Sequence, residues 1–222
     1  MPTPLKTRPA ALTATLALIG GFVLLSGCTP AETPTTAPSP TAAARHDASG
    51  HAGMDHGGTA AMSHEMGTKG VEALKALKGK EFDVAYLSQM IAHHEAAVTM
   101  AEQALKNAQK EETKREARNV VDAQKKEIGQ MTAWLKEWYG VAPDAKQQAL
   151  VREDMQGMMS MPITGDRMFF EMMIPHHQGA IDMSRLVPER SERTEVRELA
   201  GQIIKAQEAE IKTYRTLMAQ GN

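Results

Sequence analysis

The sequence predicts an all-α fold, a four-helix bundle that is built from two copies of one helical hairpin and preceded by a disordered tether. Three observations support this fold. The segment Met90–Met100 recurs as Met173–Met183, and this offset of 83 residues holds without a gap from about residue 82 to 135. Apolar residues recur at three- and four-residue steps in both copies, as in amphipathic helices. No stretch of the domain alternates with the period of two that is typical of a strand.

The end of the first hairpin is marked by residues that stop helices. Gly140 and Pro143 are expected to end the second helix of the bundle. Asp144 is suited to cap a short helix in the connection that follows. Residues 140–163 are therefore predicted to form a long linker between the hairpins.

The second hairpin carries its own signals. Thr164 or Asp166 is expected to start the third helix, and Ser191 is a candidate N-cap for the fourth. Pro175 lies inside the third helix, where it should kink the helix and free the carbonyl group of Glu171. The first copy has Ala92 at the position of Pro175, so the two copies are not equivalent.

The N-terminal region has the pattern of an export signal. Lys6 and Arg8 precede an apolar run from about residue 10 to 25, which ends in the tetrapeptide Leu25-Ser26-Gly27-Cys28. We interpret residues 1–27 as a signal peptide with a lipobox that ends at Cys28, the expected lipidation site. The alternatives are a simple signal peptide, or an anchor helix with a chance cysteine. The expected location is the cell envelope, as a membrane-anchored lipoprotein that faces the periplasm or the cell exterior.

Residues 28–70 form the predicted tether, which is rich in Thr, Pro, Ala, Gly and Ser and too poor in apolar residues to fold. It holds four of the eight histidines of the chain. Low-complexity histidine tracts are typical of metal binding, so we expect auxiliary, loose metal capture here, the alternative being a solvated linker that happens to carry histidine. The candidate ligands are His46, His51, Met54, His56, Met62, His64 and Met66.

The rest of the chain, residues 71–222, is long enough for one bundle core. Its predicted repeats span about 80–139 and about 163–220. The net charge of −2 comes from interspersed acids and bases, so no basic stripe for nucleic acid is present. Because Cys28 is the only cysteine, a lipidated protein has no thiol left, and any soft metal ligand in it must be methionine.

Each copy of the repeated motif places histidine beside methionine on a helix. At 100° per residue, Met90 and His94 share the core side of the first helix, while His93 and Met100 lie on its flank. Adjacent histidines point about 100° apart and cannot easily chelate one ion, so a facing helix must contribute. The small residues Ala96, Ala97, Gly179 and Ala180 would permit such a close approach.

The second copy repeats this arrangement and adds one thioether. Met173 pairs with His177, and His176 pairs with Met183, while Met172 lies one turn before His176. Imidazole and thioether donors suit copper, with Cu(I) favoured and Ag(I) or Cu(II) also possible. The structural alternative is that these methionines fill the core and that the histidines are hydrogen-bonded core groups. The abundance of methionine, 16 residues, favours metal binding.

Catalytic patterns find little support in the sequence. No glutamate has a histidine three residues on, as a ferritin-type di-iron site requires. Glycine-rich phosphate loops and serine-nucleophile motifs are also missing. We therefore expect a binding protein with no catalytic residues.

The pattern Met-Ile-x-His-His-x-x-Ala-hydrophobic-x-Met at Met90–Met100 and Met173–Met183 resembles the hallmark of the CopM-like family, also called domain of unknown function 305. The resemblance covers about residues 80–220. It implies a ferritin-like helical bundle in an exported protein, with a role in periplasmic copper binding. Carried over by position, the implied metal ligands are Met90, His93, His94, Met100, Met173, His176, His177 and Met183.

Three functions are consistent with the sequence. The favoured hypothesis is an exported, lipid-anchored protein that binds Cu(I) or Ag(I) for sequestration or for handover to a metal-export partner. The alternatives are a metal-dependent oxidase of ferritin-like fold, and a structural envelope bundle without tight metal binding. Gln178 in place of Glu95 leaves open whether both repeats bind metal.

Overall fold

The computed structural model of the protein describes residues 68–221, which contain eight helices and no strand. Within these residues, no helix is both long enough and apolar enough to cross a membrane. The predicted signal peptide, Cys28 and nearly all of the tether lie outside the described residues. The helices are α1 (Thr68–Lys75), α2 (Gly79–Asn107), α3 (Glu111–Tyr139), α4 (Ala145–Asp154), α5 (Gln156–Met159), α6 (Asp166–Ser184), α7 (Val187–Arg190) and α8 (Thr194–Ala219).

Four long helices form the bundle. Helix α2 packs along α3, and α6 packs along α8, so each repeat is one antiparallel hairpin. Helices α2 and α6 also pack against each other, which joins the hairpins through the two helices that carry the histidine motifs. The predicted all-α bundle of two duplicated hairpins is confirmed.

The core of the bundle consists of two apolar clusters, one toward each end. The Tyr86 cluster includes Phe82, Tyr86 and Leu135 from the first hairpin with Met183 and Ile203 from the second. The Phe169 cluster includes Ala97, Ala117, Phe169, Met173 and Tyr214. Since each cluster draws on all four helices, the hairpins bury their apolar faces only by packing together.

The linker between the hairpins is folded against the bundle. Asp144 accepts hydrogen bonds from the backbone N–H groups of Lys146 and Gln147, which confirms it as the N-cap of α4. Helix α4 then covers α2, where Val151 and Met155 pack on alanines of the motif helix. Both the core side and the flank of α2 are consequently buried. The apolar periodicity of α2 did not predict that its flank would be buried.

The starts of the third and fourth bundle helices can be compared with their predictions, whereas the kink at Pro175 stays a prediction. The third helix begins at Asp166 and continues through Pro175 to Ser184. Ser191 is not the N-cap of the fourth helix, because α8 begins at Thr194 and follows Arg193. The hydroxyl oxygen of Ser191 instead accepts the N–H of Arg193, so it stabilises the turn before the helix.

Asp166 ties the start of α6 to the turn of the first hairpin. Its carboxylate accepts the backbone N–H groups of Gln109 at 3.2 Å and Lys110 at 3.0 Å. Burial alone would raise the pKa of this carboxyl, but the backbone hydrogen bonds outweigh burial and lower the pKa below its usual value. The equivalent residue of the first repeat, Asp83, accepts a hydrogen bond from the hydroxyl of Tyr139.

Replacing Asp166 with alanine should lower the free energy of unfolding by about 1–2 kcal/mol, because two backbone donors at the α3 N-terminus lose their acceptor. Urea unfolding followed by circular dichroism measures this. Asp182→Ala is the matched control, since Asp182 is half-exposed and makes surface contacts only; its effect should stay within about 0.5 kcal/mol. Equal losses for the two variants would contradict the role given to Asp166.

Candidate metal centre

The two motif helices bring one histidine from each repeat into contact. The rings of His93 on α2 and His176 on α6 have centroids 3.8 Å apart, and their exposed fractions are 5% and 0%. The Nε2 of His176 lies 3.0 Å from the backbone carbonyl oxygen of His93 and donates to it. A neutral His176 therefore carries its lone pair on Nδ1, which has no hydrogen-bond partner among the described residues.

Glycine makes this approach possible. A Cβ atom at position 179 would lie 3.1 Å from the Nε2 of His93, which is tighter than an ordinary packing contact. Gly179 thus leaves the space into which the His93 ring fits. The first repeat has Ala96 at the equivalent position, so the two histidines do not have equal surroundings.

Burial keeps both central rings neutral. Desolvation is the main cause that lowers the pKa of His93 well below its ordinary value, and the nearby rings of His94 and His177 lower it further. The pKa of His176 is lowered in the same way, first by burial and then by its histidine neighbours. Metal ions bind the unprotonated imidazole, so these rings are in the form that can coordinate at neutral pH.

The second histidine of each motif faces a carboxylate on its hairpin partner helix. The Nε2 of His94 lies 2.7 Å from an oxygen of Glu127 on α3. The Nε2 of His177 lies 2.8 Å from an oxygen of Glu210 on α8, although that contact lacks hydrogen-bond alignment. Carboxylates of this kind fix the orientation of histidines at metal sites.

Glu127 and Glu210 face the outer histidines, and the His-His motifs alone do not predict these contacts. The sequence did contain a signal for them, because Glu127 falls on Glu210 at the same offset of 83 residues. Aligning the partner helices of the two repeats would therefore have matched one glutamate with each His-His motif.

The predicted methionine ligands are divided between the two apolar clusters. Met90 and Met183 belong to the Tyr86 cluster. Met100, Met172 and Met173 belong to the Phe169 cluster. The structure therefore does not gather all the candidate residues at one point. It places two imidazoles at the centre and two beside carboxylates, with thioethers toward both ends.

The donor set of the described part of the chain fits a soft ion better than a hard one. Between residues 68 and 221, no three His, Cys, Asp or Glu side chains converge as a metal site. The other soft donors that the motif helices place in the core are methionine thioethers. In addition, the Nδ1 atoms of all four bundle histidines have no hydrogen-bond partner among the described residues.

Comparison with known families identifies the fold. The family model called domain of unknown function, DUF305, matches residues 31–135, 96–164 and 166–222 of the chain. The chain belongs to the DUF305 family. A comparison with curated proteins finds no significant match.

Solved structures similar to this DUF305 protein include three forms of CopM. The Cu(I)-bound form is 34% identical with a TM-score of 0.54, and the match covers 62% of this chain and 96% of that chain. The Cu(II)-bound form is 31% identical with a TM-score of 0.54, over 63% and 97% of the two chains. The silver-soaked form is 34% identical with a TM-score of 0.52, over 62% and 96%.

The neutral central histidines make the stability of the metal-free protein pH-dependent. Below the unfolded-state pKa of about 6.5, the unfolded chain binds protons that buried His93 and His176 do not, so stability falls as the pH falls. The expected slope is about 1.4 kcal/mol per pH unit for each histidine. Urea unfolding between pH 7.5 and pH 5 measures it.

The control is the double variant His93→Gln/His176→Gln. It retains Glu127, Glu210, Asp154 and the other six histidines, so the difference between the two pH profiles isolates the central pair. The variant should lose stability less steeply on acidification. Parallel profiles would show that the two rings are already protonated, or accessible to protons, in the folded protein.

Proposed function

We propose that this DUF305 protein is an exported, lipid-anchored protein that binds Cu(I) or Ag(I). Its role would be to sequester the ion or to hand it over to a metal-export partner. The observation that carries this proposal is the contact between His93 and His176. It places two neutral, buried imidazoles from the two repeats within 3.8 Å, centroid to centroid, in a bundle rich in thioethers. The copper- and silver-bound forms of CopM, a relative of the same fold, support it.

The chemistry of the bundle follows from its donors. Imidazole nitrogen and thioether sulfur are neutral, polarizable ligands that favour monovalent copper and silver over Mg²⁺ or Ca²⁺. The flanking methionines of the motifs, in the clusters above and below the central rings, are the proposed sulfur ligands. Glu127 and Glu210 would hold His94 and His177 in place from the outer side.

A buried site suits retention and controlled release of a toxic ion. His93, His176 and the motif methionines are each less than a tenth exposed, so a bound ion would be shielded from water and oxidants. Loading would require local opening between the hairpins, and transfer would proceed through contact with a partner. The histidines and methionines of the tether would supply loose capture ahead of the buried site.

Binding by the bundle is tested in the full chain with the tether histidines His46, His51, His56 and His64 changed to alanine. In this background, Cu(I) and Ag(I) are titrated against a competing chelator. Changing His93, His94, His176 and His177 to alanine should weaken binding by at least roughly 100-fold, because the nitrogen ligands are lost.

Circular dichroism verifies that the helices of the fourfold variant persist. The melting temperature gives a second measure, since an ion that binds only the folded state raises it. Silver should raise it in the parent and not in the variant. Equal affinity in both proteins would show that the bundle histidines are not the ligands and would leave only the tether.

The lipid anchor is tested by Cys28→Ser. Loss of the only thiol removes the proposed lipidation site, so the variant should no longer incorporate a labelled fatty acid. Wild-type protein labelled in parallel is the control and should incorporate it. Equal labelling of the two proteins would contradict the lipoprotein assignment while leaving metal binding unaffected.

A further inference from the structure

One small cavity lies beside His93, where four helices meet. Its walls come from α1, α2, α4 and α6, together with the first residue after α4. Its volume is about 10 Å³, which is room for one water-sized atom. The lining residues are Gly70, His93, Val151, Asp154, Met155, Gly179 and Met183.

The cavity contains the three donors of a soft-metal site. His93 contributes imidazole, and the side of the ring with Nε2 faces Gly179, which also lines the cavity. Met155 and Met183 contribute thioethers, and both are at least nine-tenths buried. The His93 side chain is 95% buried, and no described residue accepts from or donates to its Nδ1. An imidazole with two sulfurs is a soft donor set.

The remaining lining residues leave the cavity open and add one negative charge at its wall. Gly70 and Gly179 contribute no side-chain atoms, and Val151 contributes methyl groups. The carboxylate of Asp154 carries the only formal charge among the lining residues. Its Oδ2 accepts the backbone N–H of Gly70 at 2.9 Å, so this negative charge is held at the cavity wall. A fixed carboxylate offsets the cost of burying one positive charge.

This arrangement breaks the symmetry of the repeats. His93 comes from the first repeat and Met183 from the second, whereas Met155 belongs to the linker and has no counterpart in the duplication. Helix α4 covers α2, and α1 packs on α4. The linker therefore closes the cavity over His93.

We propose that His93, Met155 and Met183 form a single Cu(I) or Ag(I) site, closed by the linker helix α4 and by α1. The inference rests on the proposed function and makes it more specific. It assigns a ligand from outside both repeats, and it predicts one such site per chain in place of two equivalent ones. It also gives the linker a role, because the ion would join both hairpins and the linker.

The test uses Cu(I) titration against a competing chelator in the full chain with the four tether histidines changed to alanine. Met155→Leu keeps the apolar volume and removes one sulfur. It should weaken the tightest site at least roughly tenfold, the loss that even an outer partner of a metal ligand produces. Met158→Leu is the matched control, because Met158 is also a buried linker methionine but does not line the cavity.

Gly179→Ala tests the cavity without touching a donor. The added methyl group would lie 3.1 Å from the Nε2 of His93 and compete with the ion for that nitrogen. Binding should weaken as in Met155→Leu. X-ray absorption of the Cu(I)-loaded parent, which needs no variant to fold, should show two sulfur neighbours with nitrogen, and Met155→Leu should lose one sulfur.

The outcomes separate this inference from the broader proposal. If Met155→Leu binds like Met158→Leu and its absorption spectrum is unchanged, the linker site is overturned. Copper binding by the histidine motifs still stands in that case if the fourfold alanine variant loses affinity. If the parent bundle binds neither Cu(I) nor Ag(I), both fail. A loss of roughly tenfold in Met155→Leu and in Gly179→Ala, with Met158→Leu unchanged, supports the site.

Discussion

The contact between the His93 and His176 rings is the constraint on which the centre of the bundle depends. Two imidazoles lie 3.8 Å apart in this apolar core as neutral rings, because burial disfavours the charged form of each ring and a second positive charge at this distance would add repulsion. Their packing also needs a helix that approaches closely, and Gly179 provides it. The contact between α2 and α6 at this level thus requires both neutral rings and a glycine at position 179.

The bundle places its polar groups in layers around this pair. The central histidines lie between the Tyr86 cluster and the Phe169 cluster, and the outer histidines turn toward Glu127 and Glu210 at the hairpin interfaces. Buried polar groups normally have partners, and the Nδ1 atoms of the four bundle histidines have none among the described residues. The hydrogen bond between Tyr86 and Ser184 joins the same two helices on the core side and fixes their register.

Duplication supplied the hairpins, but the linker made them unequal. Helix α4 covers the flank of α2, and Met155 reaches the cavity beside His93. On the other copy, Pro175 and Gly179 replace Ala92 and Ala96, and these changes lie on either side of His176 and His177. The surroundings of the two His-His motifs therefore differ, and a methionine from outside the repeats lies beside the first motif only.

The sequence by itself determined the helices, the repeat and the kinds of side chain that the motif helices carry. Local signals sufficed for this: the helical periodicity, Gly140 and Asp144 at helix ends, and the Met-x-x-His-His pattern. Ser191 was wrong as a predicted N-cap, because α8 begins only at Thr194 and the Ser191 hydroxyl group accepts the N–H of Arg193 in the turn before it. Only the tertiary structure decided that His93 meets His176, that Glu127 and Glu210 face the outer histidines, and that Met155 joins Met183. Those contacts join residues that are far apart in the chain, and they depend on how α2 packs against α6 and α4. The periodicity of a single helix does not encode this packing.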